Sequence, residues 1–171
     1  TQQDVNQLMM MHQNGQYKQA ITEANRLIKD FPNELLLFNI LGVCLEQEGE
    51  FKKAADAYRS ALKINPAIPE LQFNLGAMLF ALSEPEKAIS FYKEAIRLNA
   101  NFTEAYFNLG ILFQSQSKFD DAIEYYEKAL KIQPGFYEAI TNIGSIKQLQ
   151  GDLNQAIKLF KQSLNLKKDA K

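Results

Sequence analysis

The tetrapeptide FNLG occupies residues 73–76 and returns at residues 107–110, 34 positions later. The same period runs through the 171-residue chain. Register position 20 is alanine in every copy: Ala20, Ala54, Ala88, Ala122 and Ala156. Register position 8 is Leu8 in the first copy and glycine in the others: Gly42, Gly76, Gly110 and Gly144. A fixed period of this length indicates a repeat array. We therefore predict one domain, 1–171, of five repeats: 1–34, 35–68, 69–102, 103–136 and 137–170.

Each repeat has the pattern of two helices joined by a tight turn. In the fourth repeat, Tyr106, Leu109, Gly110 and Phe113 follow the i, i+3, i+4, i+7 spacing of one helix face, and a second helix is predicted to begin near Phe119. Three turns are predicted to place a glycine in the left-handed conformation: Gly15, Gly49 and Gly151. The third repeat has Ser83-Glu84-Pro85-Glu86 instead, which we interpret as a capping box with Ser83 as N-cap.

The composition excludes several classes of function. The chain has 19 Lys and Arg against 20 Asp and Glu, so no basic excess predicts binding to nucleic acid or to a membrane surface. No apolar run is long enough to span a bilayer. With one cysteine, Cys44, and one histidine, His12, the sequence offers no disulfide, metal cluster or nucleophile–base pair. We expect no enzyme activity, no cofactor, no metal and a cytoplasmic location, although the chain does not begin with Met.

The pattern of small and large residues resembles the tetratricopeptide repeat over the whole chain. Small residues recur at positions 8, 20 and 27, and large ones at positions 4, 7, 11 and 24. The resemblance implies an all-α, right-handed α-solenoid superhelix of five helix-turn-helix repeats. It also implies that the first helix of each repeat lines a concave groove, with positions 2, 5, 6, 9, 12 and 13 facing it. We expect this groove to bind an extended peptide or a segment of a partner protein.

The first repeat departs from the pattern at two positions. Leu8 stands where the other repeats have glycine, and Ala24 stands where they have tyrosine or phenylalanine. We interpret this as an exchange in which Leu8 fills the volume that Ala24 leaves empty.

Asparagine recurs at position 6, at Asn6, Asn74, Asn108 and Asn142, and Ile40 interrupts the series. Because asparagine is a mediocre helix former, its recurrence within a helix indicates a specific role. One interpretation is a ladder of amides that pair with the backbone of a bound peptide. The series is similar to the asparagine ladder in the repeats of sugar transferases that modify Ser and Thr. The alternatives are a solvated polar position and a hydrogen bond to the neighbouring repeat.

The other groove positions predict an apolar floor with acidic residues beside it. The floor consists of Phe73, Ala77, Phe80, Phe107 and Ile111, with packing between repeats as the alternative role for these rings. Position 5 also contributes Asn39, and position 2 contributes Glu70, Glu104 and Glu138. Positions 2, 5 and 6 have no Lys or Arg, whereas chaperone-binding relatives use such cations to hold a C-terminal carboxylate. We therefore expect an apolar and basic ligand.

Two other functions stay open at this point. In the first, the array is a substrate-recruiting arm that has been cut from a larger transferase-type enzyme. Alternatively, the chain self-assembles through uncapped terminal helices, which contain Ile157, Phe160 and Leu164 at one end and Leu8-Met9-Met10-Met11 at the other.

Overall fold

The described part of the chain consists of helical hairpins. A computed structural model describes the backbone of residues 2–169 and the side chains of residues 3–168. Within that range there are ten α-helices and no strand. They are α1 (Gln2–Gln13), α2 (Tyr17–Asp30), α3 (Leu35–Gln47), α4 (Phe51–Ile64), α5 (Pro69–Ala81), α6 (Pro85–Leu98), α7 (Thr103–Ser115), α8 (Phe119–Ile132), α9 (Tyr137–Leu149) and α10 (Leu153–Asp169). The predicted all-α fold of five hairpins is confirmed.

The helices divide between two compact bodies. The N-terminal body ends at Leu98 and contains α1–α6, and the C-terminal body begins at Asn99 and contains α7–α10. Within each body, the two helices of a hairpin pack together, and the second helix of one hairpin packs on the first helix of the next. The alanines of position 20 are buried: Ala20, Ala54, Ala88, Ala122 and Ala156. Their small side chains let neighbouring helices approach closely. The prediction that all five repeats form a single domain stays a prediction.

The glycine of the repeated LG pair lies against an aromatic ring of the second helix. A Cβ atom added to Gly110 would lie 2.4 Å from Cε1 of Tyr126, and one added to Gly42 would lie 2.6 Å from Cε1 of Tyr58. Gly76 meets Tyr92 and Gly144 meets Phe160 in the same way. Because real Cβ contacts are longer, the ring can occupy this place only beside glycine.

The first repeat fills the same volume differently. Leu8 and Ala24 are both fully buried. Leu8 occupies the position of the glycine, and Ala24 occupies the position of the ring. The exchange predicted from the sequence is compatible with this burial.

The turns confirm one prediction and correct another. Gly15, Gly49 and Gly151 have φ angles of 72°, 75° and 83°, as predicted for left-handed C-caps. The capping box proposed for the third repeat is wrong, because Ser83 has φ 60° and α6 begins two residues later, at Pro85. Ser83 takes the left-handed position that glycine holds in other turns. Ser117, with φ 58°, does the same before α8.

Two further properties follow from the described helices. None of them combines the length and the apolar character that a membrane span requires. Cys44 of α3 is buried, and burial raises the pKa of its thiol to about 11. The thiol is therefore protonated at neutral pH and packs as a small apolar group.

Candidate functional site

A pocket of about 180 Å³ lies between α1 and α3 in the N-terminal body. Its lining comes from the groove positions predicted in the first and second repeats: Met9, His12, Gln13, Leu36, Asn39, Ile40 and Val43. Small-molecule sites are usually larger, roughly 300–1,000 Å³. The size of this pocket therefore suits one or two side chains of a longer ligand.

Asn39 places an amide in the wall of this pocket. Its side chain is half-buried, and its Oδ1 is buried without a hydrogen-bond partner among the described residues. A buried oxygen without a partner costs free energy. Position 6 of α3 is Ile40, which is buried, so α3 has an apolar side chain where other repeats have asparagine. Asn6 is exposed on α1 and does not line the pocket.

The predicted floor residues of α5 are partly covered by their own hairpin. The ring of Phe73 packs against Tyr92 of α6, with centroids 5.5 Å apart. The half-buried residues of this face are Phe73, Asn74, Ala77 and Phe80, while Glu70 is exposed. Phe73 therefore contributes to hairpin packing, which was the alternative interpretation, and also keeps accessible surface.

In the C-terminal body, the corresponding aromatic residue packs against two rings. The centroid of Phe107 lies 5.6 Å from that of Tyr126 and 4.7 Å from that of Phe136. Ile111 packs against the same buried cluster. Phe107, Asn108 and Ile111 are half-buried, and Glu104 is exposed. The Phe107 ring is therefore partly packed against neighbouring rings and partly accessible, so the packing role and the groove role each account for part of its surface.

Asn142 belongs to a chain of side-chain hydrogen bonds. Its Nδ2 donates to the hydroxyl of Tyr126 at 3.1 Å, and that hydroxyl donates to Oε1 of Gln114 at 2.7 Å. Burial raises the pKa of Tyr126 to about 12, so the hydroxyl is protonated at neutral pH. At this position the structure has the hydrogen bond to the neighbouring repeat, one of the alternatives left open by the sequence.

This hydrogen bond predicts different effects for two asparagines at the same register position. Asn142→Ala leaves the Tyr126 hydroxyl without its donor, whereas the side chain of Asn74 makes no hydrogen bond among the described residues. The gain in helix propensity is the same for both substitutions. We therefore expect Asn142→Ala to be less stable than Asn74→Ala by about 1 kcal/mol in the free energy of unfolding, measured by urea titration. Equal values would show that the Asn142 bond contributes nothing.

The acidic residues near the first-helix faces differ in their surroundings. Glu46 accepts a hydrogen bond from the hydroxyl of Tyr58 at 3.2 Å, and burial together with this carboxylate raises the pKa of Tyr58. Glu70 and Glu104 are exposed, and Glu138 is half-buried. Residues 3–168 hold no group of three or more His, Cys, Asp or Glu side chains suited to a metal ion.

Four sequence models of one repeat family match the chain. Those described as tetratricopeptide repeat match residues 13–69, 103–136 and 137–169, and one described as TPR repeat matches residues 77–117. Together they cover most of the chain, and two of them begin at the predicted repeat boundaries, residues 103 and 137. This chain belongs to the tetratricopeptide repeat (TPR) family. No curated protein sequence matches it.

Solved TPR structures share the fold over nearly all of the chain. A structure of MamA is 28% identical, with a TM-score of 0.87 and 94% of each chain covered. YrrB, described as a TPR protein with an unusual peptide-binding site, is 20% identical with a TM-score of 0.78, covering 97% of this chain and 86% of its own. PilW, described as a type IV pilus biogenesis factor, is 24% identical with a TM-score of 0.84, covering 96% and 76%. The last two show the fold alone.

Sequence reasoning left several pocket residues out of the predicted site. Met9, Gln13, Leu36 and Val43 line the pocket, yet only Asn39 of its lining was singled out. All of them stand at TPR groove positions, so the register could have identified them. Gln114 and Tyr126 were missed as hydrogen-bond partners of Asn142 because they are distant in sequence.

Proposed function

We propose that the N-terminal body binds an extended peptide segment, with one apolar side chain seated between α1 and α3. The observation that carries the proposal is the lining of that pocket. All seven lining residues stand at register positions that TPR proteins turn toward their groove. A shallow apolar pocket with a few polar groups is the usual form of a peptide side-chain site. The role is one of binding and includes no catalytic step.

The amide of Asn39 supports recognition of a peptide backbone. The amide has two donors for a carbonyl, and its unpartnered Oδ1 accepts one N–H once the side chain turns this buried oxygen toward the ligand. Such contacts hold a backbone without reading its sequence. The adjacent apolar residues Met9 and Val43 then favour an aliphatic side chain. YrrB, whose description names a peptide-binding site, has the same fold.

Charge supports a basic rather than an acidic ligand. No Lys or Arg lines the pocket, while α3 carries Glu46 and α5 carries the exposed Glu70 on the predicted groove face. The acidic character of the predicted groove face attracts Lys and Arg of a ligand, mainly by raising the rate of association and the selectivity. It disfavours a terminal carboxylate.

The C-terminal body is proposed as a separate contact surface for the same class of ligand. Its first helices present Glu104, Phe107, Asn108 and Ile111 on α7, and Glu138 and Asn142 on α9. The Oδ1 of Asn142 makes no hydrogen bond among the described residues, although its Nδ2 is used. This oxygen is therefore available to accept a hydrogen bond from a backbone N–H of a bound peptide.

The test is a peptide-display selection on the native chain and on two neighbouring methionine variants. Met9 lines the pocket and is 41% exposed, whereas Met10 is 60% exposed and lies outside it. Met9→Gln places an amide where an aliphatic side chain is proposed to sit, and we expect it to weaken binding of the selected peptides by about tenfold. Met10→Gln is the matched control and should bind as the native chain does.

The selected sequences and the melting temperatures complete this test. Peptides rich in aliphatic residues with Lys or Arg agree with the proposal. It is wrong if no peptide is enriched, or if Met9→Gln and Met10→Gln of equal melting temperature retain the same affinity. Selection of acidic sequences would contradict the charge argument alone.

A further inference from the structure

The outer face of α10 is an exposed apolar stripe. Leu153, Ile157 and Leu164 are 58%, 52% and 54% exposed. Their spacing of four and seven residues places them on one side of the helix. Leu149, at the end of α9, is 69% exposed. Single exposed apolar residues are ordinary, but a continuous row on one helix face marks an interaction surface.

The repeat register indicates what kind of element fits this stripe. Ile123 and Leu130 of α8 hold the register positions that Ile157 and Leu164 hold in α10. In the C-terminal body, Ile123 and Leu130 pack on a buried cluster that includes Ala139 and Ile143 of α9. The same face of α8 is therefore covered by a helix, and the shape of the α10 face suits a helix as well.

The charges along the stripe are mostly positive. The exposed lysines of α10 are Lys158, Lys161, Lys167 and Lys168, and no Asp or Glu occurs between Leu153 and Lys168. The nearest carboxylates in sequence are Asp152, directly before Leu153, and Asp169, the last residue of the helix. Lys161 follows Ile157 by four residues and Lys168 follows Leu164 by four, so both lie next to the stripe. Lys167 lies over the ring of Tyr137, 5.8 Å from its centroid.

We propose that this lysine-edged face, defined by Leu153, Ile157 and Leu164, binds an amphipathic helix of a partner protein whose apolar stripe is edged by Asp and Glu. The apolar rows bury each other, and the opposite charges at the edges set orientation and selectivity. A second copy of the chain fits less well. Its other exposed large apolar residues lie on or beside α1, α2 and α4, and these helices have only one or two carboxylates each among the described side chains.

The test uses a synthetic, helix-stapled peptide with leucines on one face and glutamates at its edges. A matched peptide has lysine in place of each glutamate. By fluorescence anisotropy, the acidic peptide is expected to bind about tenfold more tightly than the basic one, with a preference that shrinks at high salt. Lys161→Glu with Lys168→Glu should reverse the preference. Equal binding of the two peptides would overturn the proposal.

Variants of the stripe locate the binding. Ile157→Gln with Leu164→Gln changes exposed side chains, so the fold should be kept, as circular dichroism would show. We expect these changes to abolish binding, while Ile64→Gln, at a residue 38% exposed on α4, leaves binding intact. Equal loss in both variants would place the peptide elsewhere.

Two other occupants give distinct results that would replace the proposal. A concentration-dependent dimer in sedimentation, dissociated by the stripe variants, would assign the face to a second copy. Flotation with phosphatidylglycerol vesicles but not with phosphatidylcholine vesicles, together with no peptide preference, would assign it to an anionic membrane surface.

Discussion

Tyr126→Ala is expected to lower the free energy of unfolding of the C-terminal body by about 3–5 kcal/mol. The ring is fully buried beside Gly110, in contact with Phe107. Removing it leaves a cavity that the hairpin cannot close, because the opposing residue is a glycine. The substitution also leaves Gln114 and Asn142 without their common partner.

Tyr126→Phe separates the two contributions. It keeps the ring and removes the hydroxyl, so the expected loss is only about 0.5–1.5 kcal/mol. Urea titration followed by circular dichroism measures both variants, with the slope checked for two-state behaviour. A loss below about 1 kcal/mol for Tyr126→Ala would show that the glycine–ring contact does not determine the hairpin packing.

Leu8→Gly is expected to cost about 2–4 kcal/mol in the N-terminal body, from the lost burial and the cavity. The added glycine disfavours the helix by roughly a further 0.5–1 kcal/mol. Leu8 is fully buried, and Ala24 has no ring that could fill the space. Thermal and urea unfolding of the variant provide the measurement.

A rescue experiment tests whether the volumes of Leu8 and Ala24 compensate for each other. Adding Ala24→Tyr to Leu8→Gly recreates the pair found as Gly42 and Tyr58 in the next repeat. We expect this double variant to recover most of the lost stability, and Ala24→Tyr alone to destabilise by overpacking. A loss under 1 kcal/mol for Leu8→Gly, or no recovery in the double variant, would reject the exchange.

The sequence was sufficient to predict the hairpins because their packing repeats. A glycine and an aromatic ring recur in register in the second to fifth repeats, so the geometric constraint between them leaves a visible pattern. The turn before α6 was predicted wrongly because Ser-x-x-Glu also matches a capping box. Ser83 instead adopts the left-handed conformation, since a turn of this length requires a positive φ there.

The site was less accessible to sequence reasoning because it depends on neighbours that are far apart along the chain. Asn74 and Asn142 look equivalent in the register, yet of these two only Asn142 makes a hydrogen bond to a described side chain, the Tyr126 hydroxyl. Likewise, Met9 and Val43 become pocket residues only when α1 and α3 are placed side by side. The residue types in the register predicted a peptide-binding groove, but which residues line the pocket depends on how the helices pack.

Methyl NMR of the methionines tests the proposed binding site most directly. The chain has four methionines, of which Met9 lines the pocket, Met10 is exposed outside it and Met78 is buried at 3% exposure. Titration of a selected peptide into protein labelled at the methionine methyl groups should shift the Met9 signal most and leave Met10 and Met78 nearly unchanged. If the peptide binds at the same affinity and the Met9 signal does not move, the pocket between α1 and α3 is not the binding site.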